Sequence, residues 1–305
     1  MIKTALTIAE RLEEEHMPSK LRPSWGEDKR AVSKQLARSA LFHVTDKRKP
    51  REQYKDARMA SWVRTEIRYT GEELRQDDQD VFMQLVHVMR KQDLGNEVVV
   101  MGCDLLKLLE WGDRESDYER LWQCIKRLLE GTVWVYNPDN RGVKLYGSHL
   151  ISEVEGRDAD QAEKDKLKAE GKLTEEQAHL KPQRTIWKLT LNKQLANIMA
   201  DDSLTLIDWV RHLSLTPMAK WFHVFYSTHR EPYAMSPKLF RDLSGSKQKN
   251  LATFRQRIHK TLNELVEKGF LESYEYNEQN DTFDVKRVHE LVTIEKRGNG
   301  QLSLL

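Results

Sequence analysis

One outline occurs twice in this 305-residue chain: a short helix, a glycine, a long amphipathic helix closed by glycine, then an aromatic strand. The first copy runs through Asp104, Leu105, Leu108, Leu109, Trp111 and Gly112, then Tyr118, Leu121, Trp122, Ile125, Leu128 and Gly131, into Val133, Trp134, Val135 and Tyr136. The second runs through Ser236, Leu239, Phe240, Leu243 and Gly245, then Leu251, Phe254, Ile258, Leu262, Leu265 and Gly269, into Phe270, Leu271, Tyr274 and Tyr276. Apolar residues three and four apart mark a helix face, and glycine marks its end. Each copy reads as a helix-turn-helix followed by a β-ribbon, the winged-helix plan, whose second helix usually enters the major groove of DNA. The expected fold class is α+β, with two tandem winged-helix domains behind an N-terminal arm.

The length suits about two domains of ~100–200 residues each. We place a basic N-terminal arm at residues 1–54, a first winged-helix domain at 55–200, a second at 201–297 and a flexible C-terminal tail at 298–305. The first domain opens with a strand at Ile67-Arg68-Tyr69 and a helix from Asp80, followed by a short β-branched strand, Glu97 to Met101. After its wing come a strand over 143–154, a strand over 185–191 and a closing helix over 192–200. A charged insertion at 155–183 interrupts it, with Leu167, Leu173 and Leu180 as its large apolar residues, too few to offset chain entropy by burial. In the second domain Thr216-Pro217 and Ser236-Pro237 each supply an N-cap and a proline for the first helical position. Its long helix is expected over 247–268 and its wing over 277–282.

Net charge is only +2, from 50 basic and 48 acidic residues, so the local distribution has to be read instead. Residues 20–68 and 238–268 are basic and 72–80 are acidic, a pattern that suits a polyanion better than a membrane. No apolar signal region and no run of roughly 18 apolar residues is present. Cys103 and Cys124 lack CxxC spacing and read as buried thiols of a reducing compartment, so a cytoplasmic protein is expected.

The outward face of the second long helix carries Lys249, Thr253, Gln256 and Lys260. Lysines there neutralise phosphates, while Gln and Thr can read base edges; the bland alternative is a solvated helix face. Lys247, Asn250, Arg257 and Lys286 complete the DNA-contacting set expected of this module. The first long helix offers Arg120 and Gln123, but Glu115, Asp117 and Glu119 in its first turns repel phosphate, which shifts contact toward Arg141 and Lys144 of the wing. Lys47 and Arg48 add arm contacts to the backbone.

Catalytic readings fare poorly. Gly147 is followed by Ser148 and His149 where a phosphate loop needs Lys and Ser/Thr. His223 and His229 are six positions apart, not the three or four that align two ligands on a helix, so they read as structural or solvent-facing. Asp77, Asp78 and Asp80 precede an apolar-periodic run and suit a helix N-terminus better than a metal. No catalytic residue, metal site or cofactor is expected. The last residues, Gln301-Leu302-Ser303-Leu304-Leu305, follow a glycine-containing linker and resemble the pentapeptide by which polymerases and associated factors dock on the bacterial sliding clamp, with Leu305 where Phe is more usual.

Several runs resemble the TrfA-type plasmid replication initiators: Leu36 to Phe42, Lys47 to Glu52, Tyr69 to Arg75 with Asp77-Asp78, and Ser227 to Tyr233, the similarity spanning roughly 21–276. That resemblance implies a bacterial, non-enzymatic protein that binds directly repeated iterons in double-stranded origin DNA and promotes origin opening. It also implies single-stranded origin DNA as a further ligand, recruitment of the host replicative helicase, sliding clamp and host initiator, and a monomer–dimer equilibrium. It makes Leu41 and Phe42 a rival clamp contact. The 155–183 insertion departs from the family by its length. The alternative function is a winged-helix transcriptional repressor, because fold does not fix function.

Overall fold

The computed structural model describes residues 25–62, 64–90, 97–137, 145–157, 186–192 and 204–288. Its architecture is mixed α and β, organised around two hydrophobic cores.

The first core is built on a four-stranded antiparallel sheet of β3 (Gln53–Met59), β4 (Glu66–Glu72), β7 (Thr132–Tyr136) and β8 (Leu145–His149), in that order. Ile67 and Tyr69 on β4, and Val133 and Val135 on β7, point inward, since alternate strand residues share a face. Against them pack α2 (Gln76–Met89) and α4 (Glu115–Glu130). Helix α4 buries Tyr118, Leu121, Ile125 and Leu128 of the stripe read from the sequence, with Cys124 beside them and Trp122 half-buried at its edge. Helix α2 is buried almost all round, polar residues included, because it runs through the middle of the unit. A three-stranded sheet of β6 (Glu97–Met101), β10 (Ile186–Leu191) and β9 (Ile151–Arg157) flanks them, with α3 (Gly102–Leu108) between β6 and α4.

Around this core lie β1 (Lys29–Ser33), α1 (Lys34–Ala37), β2 (Phe42–His43), β5 (Leu74–Arg75), β11 (Leu204–Asp208) and α5 (Trp209–Leu213). Strands β1 and β11 form an antiparallel ribbon, Lys29 opposite Asp208, which joins the beginning of the described chain to the start of its last third. Strands β2 and β5 form a short parallel pair.

The second core is rich in aromatics. Helices α6 (Pro217–Ser227), α7 (Pro237–Leu243) and α8 (Leu251–Glu267) and the hairpin β12 (Leu271–Asn277) and β13 (Thr282–Arg287) enclose Phe222, Phe225, Tyr226, Phe240, Phe254 and Phe283. Phe222 meets Phe240 edge-on with centroids 4.9 Å apart, a geometry worth about 0.5–1.5 kcal/mol beyond burial. Met235 and Phe283 exchange both backbone hydrogen bonds, so the loop before α7 extends the hairpin at its base. Gly245 ends the turn after α7 at φ +62, and a Cβ there would stand 2.7 Å from the His43 ring. Only glycine fits both demands.

Both copies of the repeated outline therefore exist: α3, α4 and the β7–β8 pair in the first, and α7, α8 and the β12–β13 hairpin in the second. Several boundaries differ from expectation. Residues 25–54 are not a loose arm: Trp25, Ala31, Val32, Leu36, Leu41 and Phe42 all lie in the first core. The second core does not begin at 201, because Ile207 and Trp209 pack in the first, while the α6–α8 cluster takes in Leu215 onward together with Val44 from the N-terminal segment. Helix α2 starts at Gln76 rather than Asp80, since Asp78 turns back to accept the Arg75 backbone N–H at 2.7 Å. The strand expected over 143–154 is two strands in different sheets, separated at Leu150. Helix α8 begins at Leu251, where the Asn250 side chain caps it, not at 247. The charged insertion beyond Arg157, the 192–200 helix beyond Asn192 and the C-terminal tail lie outside the described residues.

Candidate nucleic-acid interface

Helix α8 buries Phe254, Ile258, Leu262 and Leu265, and this orientation leaves Thr253, Gln256, Arg257 and Lys260 exposed, with Lys249 and Asn250 exposed just before its start. The Asn250 amide oxygen accepts from the Thr253 backbone N–H at 3.0 Å, so that atom is committed to the cap. Among the described residues Lys249, Arg257 and Lys260 form no ion pair, which leaves their charges for an external anion.

The hairpin is fastened to this helix. Arg255 donates to both carboxylate oxygens of Asp281, at 2.9 and 3.0 Å, and the Tyr276 hydroxyl donates to Asp281 at 2.7 Å. Asp281 sits at φ +47 in the turn, a conformation that Asp and Asn tolerate better than most residues. Lys286, expected to contact DNA, pairs instead with Glu272 across the hairpin at 2.8 Å, both side chains being exposed.

A cleft of about 740 Å³ opens between the two units, and four residues expected to contact DNA line it: Lys47, Arg120, Arg257 and Lys260. They are far apart in sequence and come from the loop after β2, from α4 and from α8. Acidic groups line it too, but each is held from within the protein. Asp46 accepts from the Arg48 backbone N–H at 2.9 Å, Asp77 from Arg51 at 3.0 Å, and Glu264 from the backbone N–H and hydroxyl of Thr216, both at 2.7 Å. Thr216 thus occupies the N-cap position of α6 without capping it, its hydroxyl serving α8 instead. Lys47 and Arg48 are exposed. Arg120 lies 3.7 Å from the centroid of the Trp111 ring and 3.5 Å from Asp77, and Gln123 donates to Glu119 at 2.8 Å, so the first long helix is partly self-neutralised. Arg141 and Lys144 are outside the described residues, as are Gln301, Leu302, Ser303, Leu304 and Leu305.

Two expectations need correction. Lys247 is not a surface cation: it is ion-paired with the fully buried Glu73 and, at 3.1 Å, with Glu52, both in the first unit. Leu41 and Phe42 are each 1% exposed, so neither can enter a partner's pocket without unfolding the core.

What the sequence did not reveal is how the units are joined. Burial alone would raise the Glu73 carboxyl, but hydrogen bonds from Lys247 and Arg75 hold it down at about 2. A second junction centres on buried Asp80 of α2, which accepts from His212 Nε2 at 2.9 Å and from Lys220 of α6. His212 Nδ1 in turn faces His223 Nδ1 at 3.3 Å, and burial depresses both imidazoles. A third joins Arg38 to Thr228 Oγ1 at 2.7 Å. His223 and His229 are accordingly buried structural groups. Asp77 and Asp78, whose ligand atoms cluster with Cys124 Sγ within 4.8 Å, are gripped by Arg51 and Arg127, which satisfies the carboxylates with guanidinium rather than a metal. Spacing could not pair these groups, because each partner lies on another element.

The TrfA protein family model matches residues 17–160 and 181–287. The plasmid replication initiator protein TrfA of Escherichia coli is 25% identical over 251 residues, covering 81% of this chain but 59% of that relative, so the chain spans less than two thirds of its length. Two crystal structures of domains 2 and 3 of RctB superpose with TM-scores of 0.53 and 0.50, at 13% and 11% identity, covering 81% and 82% of this chain and 95% of each of those chains. At such identities the likeness concerns the fold alone. No helix among the described residues is long and apolar enough to cross a membrane.

Proposed function

The chain belongs to the TrfA protein family, and from that membership we propose that it initiates plasmid replication by binding directly repeated sites in origin DNA through two winged-helix modules. The observation that carries this reading is the convergence of Lys47 and Arg120 from one unit with Arg257 and Lys260 from the other on a single cleft beside α8. A duplex seated with α8 in its major groove runs past that cleft, where these cations neutralise the adjacent phosphates. Thr253 and Gln256 project from the exposed face of α8 and supply the base-edge contacts, and Arg255 and Asp281 fix the hairpin as a wing on the flanking backbone.

In this proposal the protein acts by positioning DNA and partners rather than by catalysis, and it needs no nucleotide or metal of its own. Origin opening, recruitment of the host helicase and host initiator, and a clamp contact through Gln301 to Leu305 belong to the same proposal and rest on the family resemblance and the C-terminal sequence.

The test is a DNase footprint of the purified full-length protein across the replicon that encodes it. Evenly spaced protection over direct repeats, about one or two helical turns apart on one face, is the expected result. Protection of a single palindrome at a promoter would make the protein a repressor instead.

A further inference from the structure

The outer face of the four-stranded sheet carries exposed aromatic residues that neither core uses. Trp134 and Tyr136 on β7 are each 45% exposed, and Leu145, opposite Tyr136 on β8, is 55% exposed. The register puts Arg58, Arg68, Trp134 and Gly147 in one row across β3, β4, β7 and β8. The indole lies against Gly147: a Cβ there would fall 2.2 Å from Trp134 Cε3 and 2.3 Å from Cζ3. The glycine is therefore the seat that lets the ring lie down on the sheet, one face covered by backbone and the other open. Tyr136 is two residues along the same strand, ~6.8 Å away, about twice the 3.4 Å rise between stacked bases of one DNA strand.

We propose that this face binds single-stranded DNA, with one base on Trp134, another on Tyr136 and the strand stretched between them. Stacking on aromatic side chains flanked by cations is how single strands are held without sequence preference, because every base has a π-face. Arg58 is exposed and forms no ion pair among the described residues, so it is the cation that meets the backbone. Arg68 is occupied by Asp56, at 2.6 and 2.7 Å, and reaches Glu66 at 3.4 Å. Ordinary duplex DNA cannot use the platform, since its bases are stacked on one another. The inference rests on the origin-binding reading for its biological setting, where an opened segment supplies the single strand, but the platform itself stands on the sheet.

The test measures fluorescence anisotropy of a labelled oligo-dT and of an origin duplex with the full-length protein, alongside its sedimentation state. Trp134→Ala should weaken oligo-dT binding at least fivefold, Trp134→Phe should restore most of it, and Gly147→Ala should weaken it with the indole still present. The duplex affinity of all three should stay within twofold of the parent. Unchanged oligo-dT affinity in the Trp134→Ala, Tyr136→Ala double variant would overturn the proposal. A shift of Trp134→Ala from dimer to monomer with oligo-dT affinity intact would overturn it in favour of a self-association face. Oligo-dT binding without any duplex binding would remove the origin-binding reading while leaving the platform in place.

Discussion

Arg255 on α8 holds Asp281 at the tip of the β12–β13 hairpin through two parallel hydrogen bonds of 2.9 and 3.0 Å. The pair is partly solvated, at 29% and 37% side-chain exposure, so its direct contribution to stability is about 1 kcal/mol or less. Its larger effect is geometric. It sets the angle between the helix proposed to enter the groove and the hairpin proposed to lie beside it. Arg255→Ala is expected to lower affinity for origin DNA about tenfold while moving the melting temperature by no more than a few degrees. Asp281→Asn, which keeps the turn conformation and one hydrogen bond, should fall between. Anisotropy titrations paired with thermal melts check this, and an Asp281→Asn variant that binds origin DNA more tightly than the parent would point to charge rather than orientation.

Gln256 and Lys249 should separate by the kind of loss they cause. Gln256→Ala removes a base-edge contact and is expected to relax sequence preference at one or two positions, at a cost of ~1–3 kcal/mol. Lys249→Ala removes a phosphate contact and should weaken all sequences alike, lowering the slope of log affinity against log salt by about 1. Unchanged footprints and salt slopes in both variants would contradict the placement of DNA along α8.

Lys247 should behave as a structural residue despite its place in a basic segment. Lys247→Ala leaves the Glu73 carboxylate buried with Arg75 as its remaining close cation, 2.6 Å away, and is expected to cost ~3 kcal/mol. The Glu73→Gln, Lys247→Met double variant should recover much of that loss, because neither charge is then left unpaired. Urea denaturation measures both. The salt slope of DNA binding should be unchanged in the folded double variant, whereas a slope lowered by one unit would return Lys247 to the DNA-contacting set.

Stability is expected to fall on mild acidification. Burial holds His87 at about 4 and His229 at about 4, against the usual 6.5. Trp25 Nε1 donates to His87 Nδ1 at 3.1 Å, which favours the neutral ring with its proton on Nε2, facing Glu27. Between pH 6.5 and 4 the unfolded chain binds protons that the folded chain does not, so stability is lost as pH falls through that window, by up to ~3 kcal/mol for each histidine. Glu73 has the opposite chemistry but the same direction at lower pH, its contribution disappearing from about 4.5 down to about 2. Urea midpoints measured from pH 7 to 4 should therefore drop, and His87→Gln should flatten the profile; an unchanged slope in that variant would assign the acid sensitivity elsewhere.

Deletion of Gln301 to Leu305 is expected to abolish retention on immobilised sliding clamp while leaving the affinity for origin DNA unaltered. With Leu41 and Phe42 buried, the resemblance offers no second apolar peptide to take over. Equal retention of the truncated protein would remove the tail from clamp binding.

Periodicity by itself determined α4, α7 and α8, because a stripe of apolar residues such as Phe254, Ile258, Leu262 and Leu265 has one way to be buried. It also determined the hairpin after α8 and the outward set of Thr253, Gln256 and Lys260, which follow from that stripe by geometry alone. Tertiary structure decided everything that depends on pairing across distance. The segment around Leu36, Leu41 and Phe42 read as an arm because its apolar residues follow no sustained period; they are buried one at a time, by β1 pairing with β11 and by α2 passing beneath. Lys247 and Lys249 look alike in sequence, yet one faces a buried carboxylate 174 positions away and the other faces solvent. The value of a charged side chain is set by the dielectric and the partner it meets, and both are properties of the folded arrangement rather than of the residue.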